Sequence, residues 1–227
     1  MATFRTVRNK AAEVCPLDVL GLELRGFLVH SMLCDESEPR TDVSDRTDLA
    51  VTHMCPPIVS GRFRCDVVSH LPITERERRK IQRFVDRFRK EMEANAKQQE
   101  MLPSEPRYLI HPERLQPRAD NPLWSFSCVG FVVSAYRNGG ITILANQRPL
   151  KTLADLKLLY PDRAADLDDP LKRAEFLPEG GESWPVALVG YLFNAFHRDD
   201  AEVRSIPFQA QVGDEYFPSR RQMTNDK

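Results

Sequence analysis

Cys128 stands in the run Phe126, Ser127, Cys128, Val129, Gly130, Phe131, Val132, where a proline-rich lead gives way to apolar residues at helical spacing. A cysteine in the first turn of a helix lies among backbone N–H groups that have no intrahelical acceptor, at the positive end of the helix dipole. Both favour the thiolate and so make the sulfur a better nucleophile. The same N–H groups can donate to the oxyanion of an acyl-transfer intermediate. The chemistry implied is thiolate attack on an acyl carbonyl, with an imidazole to take up and return the proton. The histidines available are His30, His53, His70, His111 and His197.

Two other chemistries use the same residue types. The cluster His30, Cys34, His53, Cys55, Cys65 and His70 contains enough soft ligands for a structural zinc, although no Cys-x-x-Cys pair anchors it. Cys128 also fits a packed small hydrophobe on a core-facing helix, and His30 and His53 fit satisfied polar residues at a sheet edge. The five cysteines are an odd number without the pairing of a secreted scaffold, which predicts free thiols.

The elements that must position these side chains follow from pattern. Residues 19–34 alternate apolar and polar, with a break at Gly26, and predict two strands with His30 on the second. A polar stretch at 35–48 predicts a loop, 49–54 a strand carrying His53, and 62–69 a third strand. Thr74 and Glu77 form a capping box ahead of Ile81, Phe84, Val85, Phe88 and Met92 at helical spacing. Acidic residues are interleaved with that helix's Arg and Lys, so it reads as a solvated face rather than a polyanion-binding surface. Five prolines between 102 and 122 predict a winding connector with a short strand at 108–110. The Cys128 helix follows, stopped by Asn138, Gly139 and Gly140, and then a short strand at 141–144. Beyond it the pattern predicts a helix at 153–159, an acidic loop at 166–169, a buried helix at 184–196, a strand region at 203–212 and a frayed tail at 219–227.

Lys plus Arg is 32 against 33 for Asp plus Glu, which leaves no net field to draw a nucleic acid or an anionic membrane. No apolar run reaches the roughly 20 residues of a membrane span, and the first residues lack the apolar core of a signal peptide. A cytoplasmic protein is expected.

The nucleophile segment resembles that of the NlpC-like branch of papain-fold hydrolases. Cys128, Gly130, Phe131 and Val132 match it, and Tyr136 and the Gly139, Gly140, Ile141 ending are similar; Ser127 and Val129 depart from it. In ordinary members the catalytic His follows the Cys, where only His197 is available, at the polar end of a helix. The order here is similar to the permuted branch, which includes lecithin retinol acyltransferase-like proteins and places the strands and the His first. That resemblance spans roughly residues 18–145. It implies an α+β, papain-like fold with an antiparallel sheet packed against the nucleophile helix. Residues 1–145 would be the catalytic core and 146–227 a C-terminal extension packed on it. It further implies Cys128 as nucleophile, His30 as general base and His53 as the residue orienting that base, with His70 and His111 as alternative bases. The implied activity is hydrolysis of an amide or peptide bond, or acyl or thioester transfer. The substrate would be a small molecule, a peptide or a lipid-like acyl compound, with no cofactor or resident metal and no nucleic acid. The alternatives are a catalytically silent binding or interaction module of the same fold, and a structural zinc protein.

Overall fold

The computed structural model of the chain describes residues 5–6, 13–24, 26–41, 48–54, 58–99, 127–173, 177 and 181–218. Residues 19–34 do form two strands, β2 (Val19–Leu24) and β3 (Phe27–Cys34), turning at Gly26, whose φ of 83° suits a residue without a Cβ. With β1 (Arg5–Thr6), β4 (Asp48–Met54), β5 (Ile58–Arg64) and β6 (Val67–Ser69) they make one sheet, in the order β1-β6-β2-β3-β4-β5. Every neighbouring pair is antiparallel except β1 with β6.

Helix α1 (Glu75–Gln99) starts at the capping box: the Thr74 N–H donates to Glu77 Oε2 at 2.6 Å and the Glu77 N–H to Thr74 Oγ1 at 3.3 Å. Its buried stripe is Ile81, Phe84, Val85 and Phe88. Helix α2 (Cys128–Gly139) is capped by Ser127, whose Oγ accepts the Gly130 N–H at 2.9 Å. It ends at Gly140, in the left-handed region, whose N–H returns to the Tyr136 and Arg137 carbonyls. A two-stranded pair follows, β7 (Leu150–Thr152) with β8 (Ser183–Pro185). Between these strands lie α3 (Leu153–Leu159), α4 (Ala164–Asp168) and α5 (Pro170–Arg173), and after them α6 (Val189–His197) and α7 (Asp200–Ser205).

The sheet has two unlike faces. Val19, Leu28, Leu33, Met54 and Val67 join the large core built with α1, α2 and α6. Leu20, Met32, Cys34, Leu49, Val51, Cys65 and Val68 form a second buried cluster on the other side, with Leu22 packed against it. Side chains alternate faces along a strand, so these memberships fix the orientation of every residue between them. Helix α6 reaches the sheet closely: a Cβ at Gly21 would stand 2.8 Å from the Phe193 ring. Leu156, Leu167, Leu188 and Phe193 share the large core with the sheet and α2, so the buried interior runs on across residue 145.

Several expectations are corrected. The segment 62–69 is not one strand: β5 ends at Arg64 on the sheet edge, and β6 pairs with β1 and β2 on the far side. The crossing is fixed by Asp66, whose carboxylate accepts the Glu23 N–H at 2.9 Å and whose own N–H donates to the Gly21 carbonyl at 2.8 Å. Residues 141–144 contribute only a bridge from Leu144 to Phe208. The acidic stretch 166–169 lies within α4 and its junction with α5 rather than in a loop. The buried helix begins at Val189, because residues 183–185 pair as β8. Residues 200–205 are helical, capped by Asp199, which accepts the Ala201 N–H at 2.8 Å, and not a strand. The expected strand at 108–110 and the tail at 219–227 lie outside the described residues. Among the described residues no helix is long and apolar enough to cross a membrane.

Candidate functional site

Cys128 is the first residue of α2 and is half-buried. Burial pushes its thiol pKa up. The Ser31 backbone and hydroxyl pull it back most, followed by the N–H groups of Val129 and of Cys128 itself. The helix start therefore supplies the donors expected of it, but desolvation is the larger influence. Tyr160, at the end of α3, also lies by the sulfur: its hydroxyl is raised by burial and then by the charge Cys128 would carry.

The two histidines assigned to Cys128 are brought together with each other. Nε2 of His30 and Nδ1 of His53 are 2.6 Å apart and the rings meet edge-on, with centroids at 4.8 Å. His53 also meets the Phe63 ring edge-on at 4.8 Å. Burial lowers both imidazoles to about 4, so the pair is neutral at pH 7. In the bond between them one ring must donate and the other accept. His53 Nε2 is buried and finds no hydrogen-bond partner among the described residues. A lone pair left there costs less than an N–H, which favours donation from His53 Nδ1 to His30 Nε2.

This histidine pair and Cys128 belong to opposite faces of the sheet. Ser31 pairs with Gly21, which abuts Phe193 of α6 on the covered face, and Ser31 is the strand residue acting on the Cys128 thiol. His30 pairs with Leu22, which packs with Leu20 and Met32 on the reverse face. His53 lies two residues on from Val51 and four from Leu49, and so shares their reverse face. The register shift beside Leu22 leaves Val29 as the extra residue and places His30 at the bulge. The predicted Cys128–His30–His53 constellation is therefore not assembled: among the described residues a hydroxyl, not an imidazole, lies under the thiol.

The remaining predicted ligands are dispersed. Cys34 and Cys65 are buried in the reverse-face cluster, where desolvation pushes both thiols up to about 12. Cys55 and His111 lie outside the described residues. His197 ends α6 with its ring 5.8 Å from that of Phe217. His70 follows β6, and its Nδ1 lies 2.8 Å from Asp18 Oδ1. Asp18 is 2 % exposed; burial raises its carboxyl, while the bond to His70 draws it down.

Beside that pair lies a thiol that pattern reading passed over. One donor atom each from Cys15, Asp18 and His70 all lie within 4.8 Å of one another. The Asp18 N–H donates to the Cys15 carbonyl at 3.0 Å, closing a turn with Pro16 and Leu17 at its centre. Leu17 has φ 71°, the positive value that a type II turn demands at its third residue. The signal in the sequence was Pro16 at the second turn position, which brings Cys15 and Asp18 together. The contribution of His70 needed the β2–β6 pairing, in which Val19 faces Ser69.

Comparison of the chain with known protein families, curated proteins and solved structures found no match. What the structure defines is a mixed α+β chain with a largely antiparallel sheet covered by helices on one face.

Proposed function

We propose that this chain is a catalytically silent binding or interaction module, with its elements in the permuted papain-like order and Cys128 serving as a packed structural thiol. The observation that carries this reading is Ser31. The strand residue beneath the sulfur bears a hydroxyl too weakly basic to take a proton from a thiol at neutral pH, and the neighbouring His30 faces away. A half-buried thiol that no base among the described residues faces stays protonated and inert. The peptide or acyl compound implied by the resemblance then becomes a ligand to be held rather than a bond to be cleaved. Free thiols at Cys15, Cys34, Cys65 and Cys128 suit a reducing compartment such as the cytoplasm.

The rival is the thiol hydrolase or acyltransferase, favoured by one observation: Cys128 opens a capped helix whose N–H groups pull its pKa down. Competitive alkylation at neutral pH, with a chelator present and read by mass spectrometry, separates the two. The silent module predicts that Cys128 labels no faster than Cys15. Selective labelling of Cys128 that is lost in His30→Ala or His111→Ala would restore the enzyme.

A further inference from the structure

The turn at residues 15–18 is held more firmly than an ordinary surface turn. Leu17 donates its N–H to the Cys34 carbonyl at 2.9 Å, and its own carbonyl accepts the Tyr136 hydroxyl at 2.9 Å. The Asp18 carbonyl accepts the Cys34 N–H at 2.8 Å, and Asp18 Oδ2 accepts the Cys15 N–H at 2.8 Å. A leucine at positive φ is a costly choice that persists only where its surroundings over-determine it. Here the sheet on one side and α2 on the other fix the backbone, and with it the direction of the Cys15 and Asp18 side chains. His70 enters from the end of β6, the strand next to β2. Two segments distant in sequence, the 15–18 turn and the end of β6, thus converge on one spot with a sulfur, a carboxylate oxygen and a ring nitrogen.

We propose that Cys15, Asp18 and His70 form a binding site for a divalent transition cation of the zinc type, with three protein ligands and a fourth position open to solvent. The donor set is suitable: thiolate, imidazole and carboxylate are the three ligand types that zinc accepts, at about 2.3, 2.0–2.1 and 2.0–2.2 Å. In a tetrahedron those lengths put donors roughly 3.5 Å apart; the present atoms lie within 4.8 Å of one another, with His70 Nδ1 and Asp18 Oδ1 at 2.8 Å, so small shifts of the Cys15 and His70 side chains are what a cation would require. Rotation is available because His70 is exposed and Cys15 half-buried, whereas Asp18 is anchored. The two Asp18 oxygens act separately, Oδ2 accepting the Cys15 N–H and so orienting the carboxylate, and Oδ1 facing His70 and the cation position. Coordination releases the Cys15 thiol proton to solvent and takes up the imidazole as a neutral ring with its proton on the other nitrogen. No electron transfer is involved. The site is separate from Cys128, so it stands or falls independently of the proposed function.

The test is calorimetric titration of the full chain with zinc ion after chelator treatment, repeated with cobalt ion for the thiolate-to-metal absorption band. One zinc per chain is expected. Cys15→Ala and His70→Ala should each weaken binding by at least about 100-fold, the upper end of what losing a supporting outer partner costs, and His197→Ala should leave it unchanged. The cobalt charge-transfer band should vanish in Cys15→Ala. On the unaltered chain, zinc should protect Cys15 from alkylation, a readout that holds even if a variant folds poorly. The proposal is overturned if the chain takes up no zinc, if both variants bind as the unaltered chain does, or if bound zinc leaves Cys15 as reactive as before.

Discussion

The two faces of the sheet divide between them the parts of one thiol site. On the covered face, Cys128 has the helix-start donors and a serine hydroxyl at its sulfur. On the reverse face, His30 and His53 have the imidazoles but bond to one another. The separation amounts to a single step along β3, because Ser31 and His30 are consecutive residues and a strand turns consecutive side chains to opposite sides. A third region makes the contrast sharper. Cys15 heads no helix, yet it has the buried carboxylate and the imidazole that Cys128 lacks among the described residues. Residue types alone do not make a site; the register that decides which face each occupies does.

The largest expected effect tests the reverse face. His30 and His53 titrate near 6.5 when unfolded and at about 4 when folded. Between those values the unfolded chain binds more protons than the folded one, so stability falls as pH drops through that window and is fully present above it. The loss should be on the order of 3 kcal/mol for each histidine between pH 7 and pH 4, or about 6 kcal/mol for the pair. Urea unfolding at several pH values checks this, with His53→Gln as the comparison that removes the pair. If the variant keeps the whole pH dependence, the imidazoles are not buried together and the contrast between the faces fails.

The local elements were legible in the sequence because their causes are local. Thr74 and Glu77 announce α1, Gly26 breaks β2 from β3, and the Asn138, Gly139, Gly140 ending stops α2 where the structure does. Strand partners were not legible. Nothing within residues 62–69 says that Cys65 and Asp66 leave one edge of the sheet and that Val67–Ser69 joins β2, since that depends on Asp66 bonding Glu23 and Gly21. The orientation of His30 was hidden for a related reason. Its face is set by the pairing with Leu22 and by the bulge beside it, which alternation within β3 alone does not reveal. The thiol at the helix start could be read from sequence; whether an imidazole met it could not.

A smaller effect probes the link between Cys128's helix and the turn of Cys15. The buried Tyr136 hydroxyl, on α2, donates to the Leu17 carbonyl at 2.9 Å. Tyr136→Phe removes the donor and leaves a buried carbonyl unpaired, which should cost about 1–3 kcal/mol in chemical denaturation. It should also raise the alkylation rate of Cys15, because the strained turn loses one of its restraints. A variant as stable as the parent, with Cys15 no more reactive, would mean that the turn is held by the sheet alone.

The smallest effect is the most discriminating, because its sign is what matters. Ser31 is fully buried, and its Oγ has no partner at hydrogen-bonding geometry among the described residues, although the residue acts on the Cys128 thiol. In a silent module that hydroxyl is a desolvated polar group giving little in return, a condition that costs about 1–3 kcal/mol. Ser31→Ala relieves it and opens a void smaller than a methyl group, worth less than about 1 kcal/mol. The balance predicts a variant equal to the parent or slightly more stable, with Cys128 labelling unchanged. Were the hydroxyl instead holding the thiolate in a working site, its removal would lose a hydrogen bond to a charged group, worth about 1.5–3 kcal/mol. Labelling of Cys128 would then slow. Stability and labelling falling together would therefore move Cys128 back among the nucleophiles, while the opposite sign leaves the covered face without chemistry of its own.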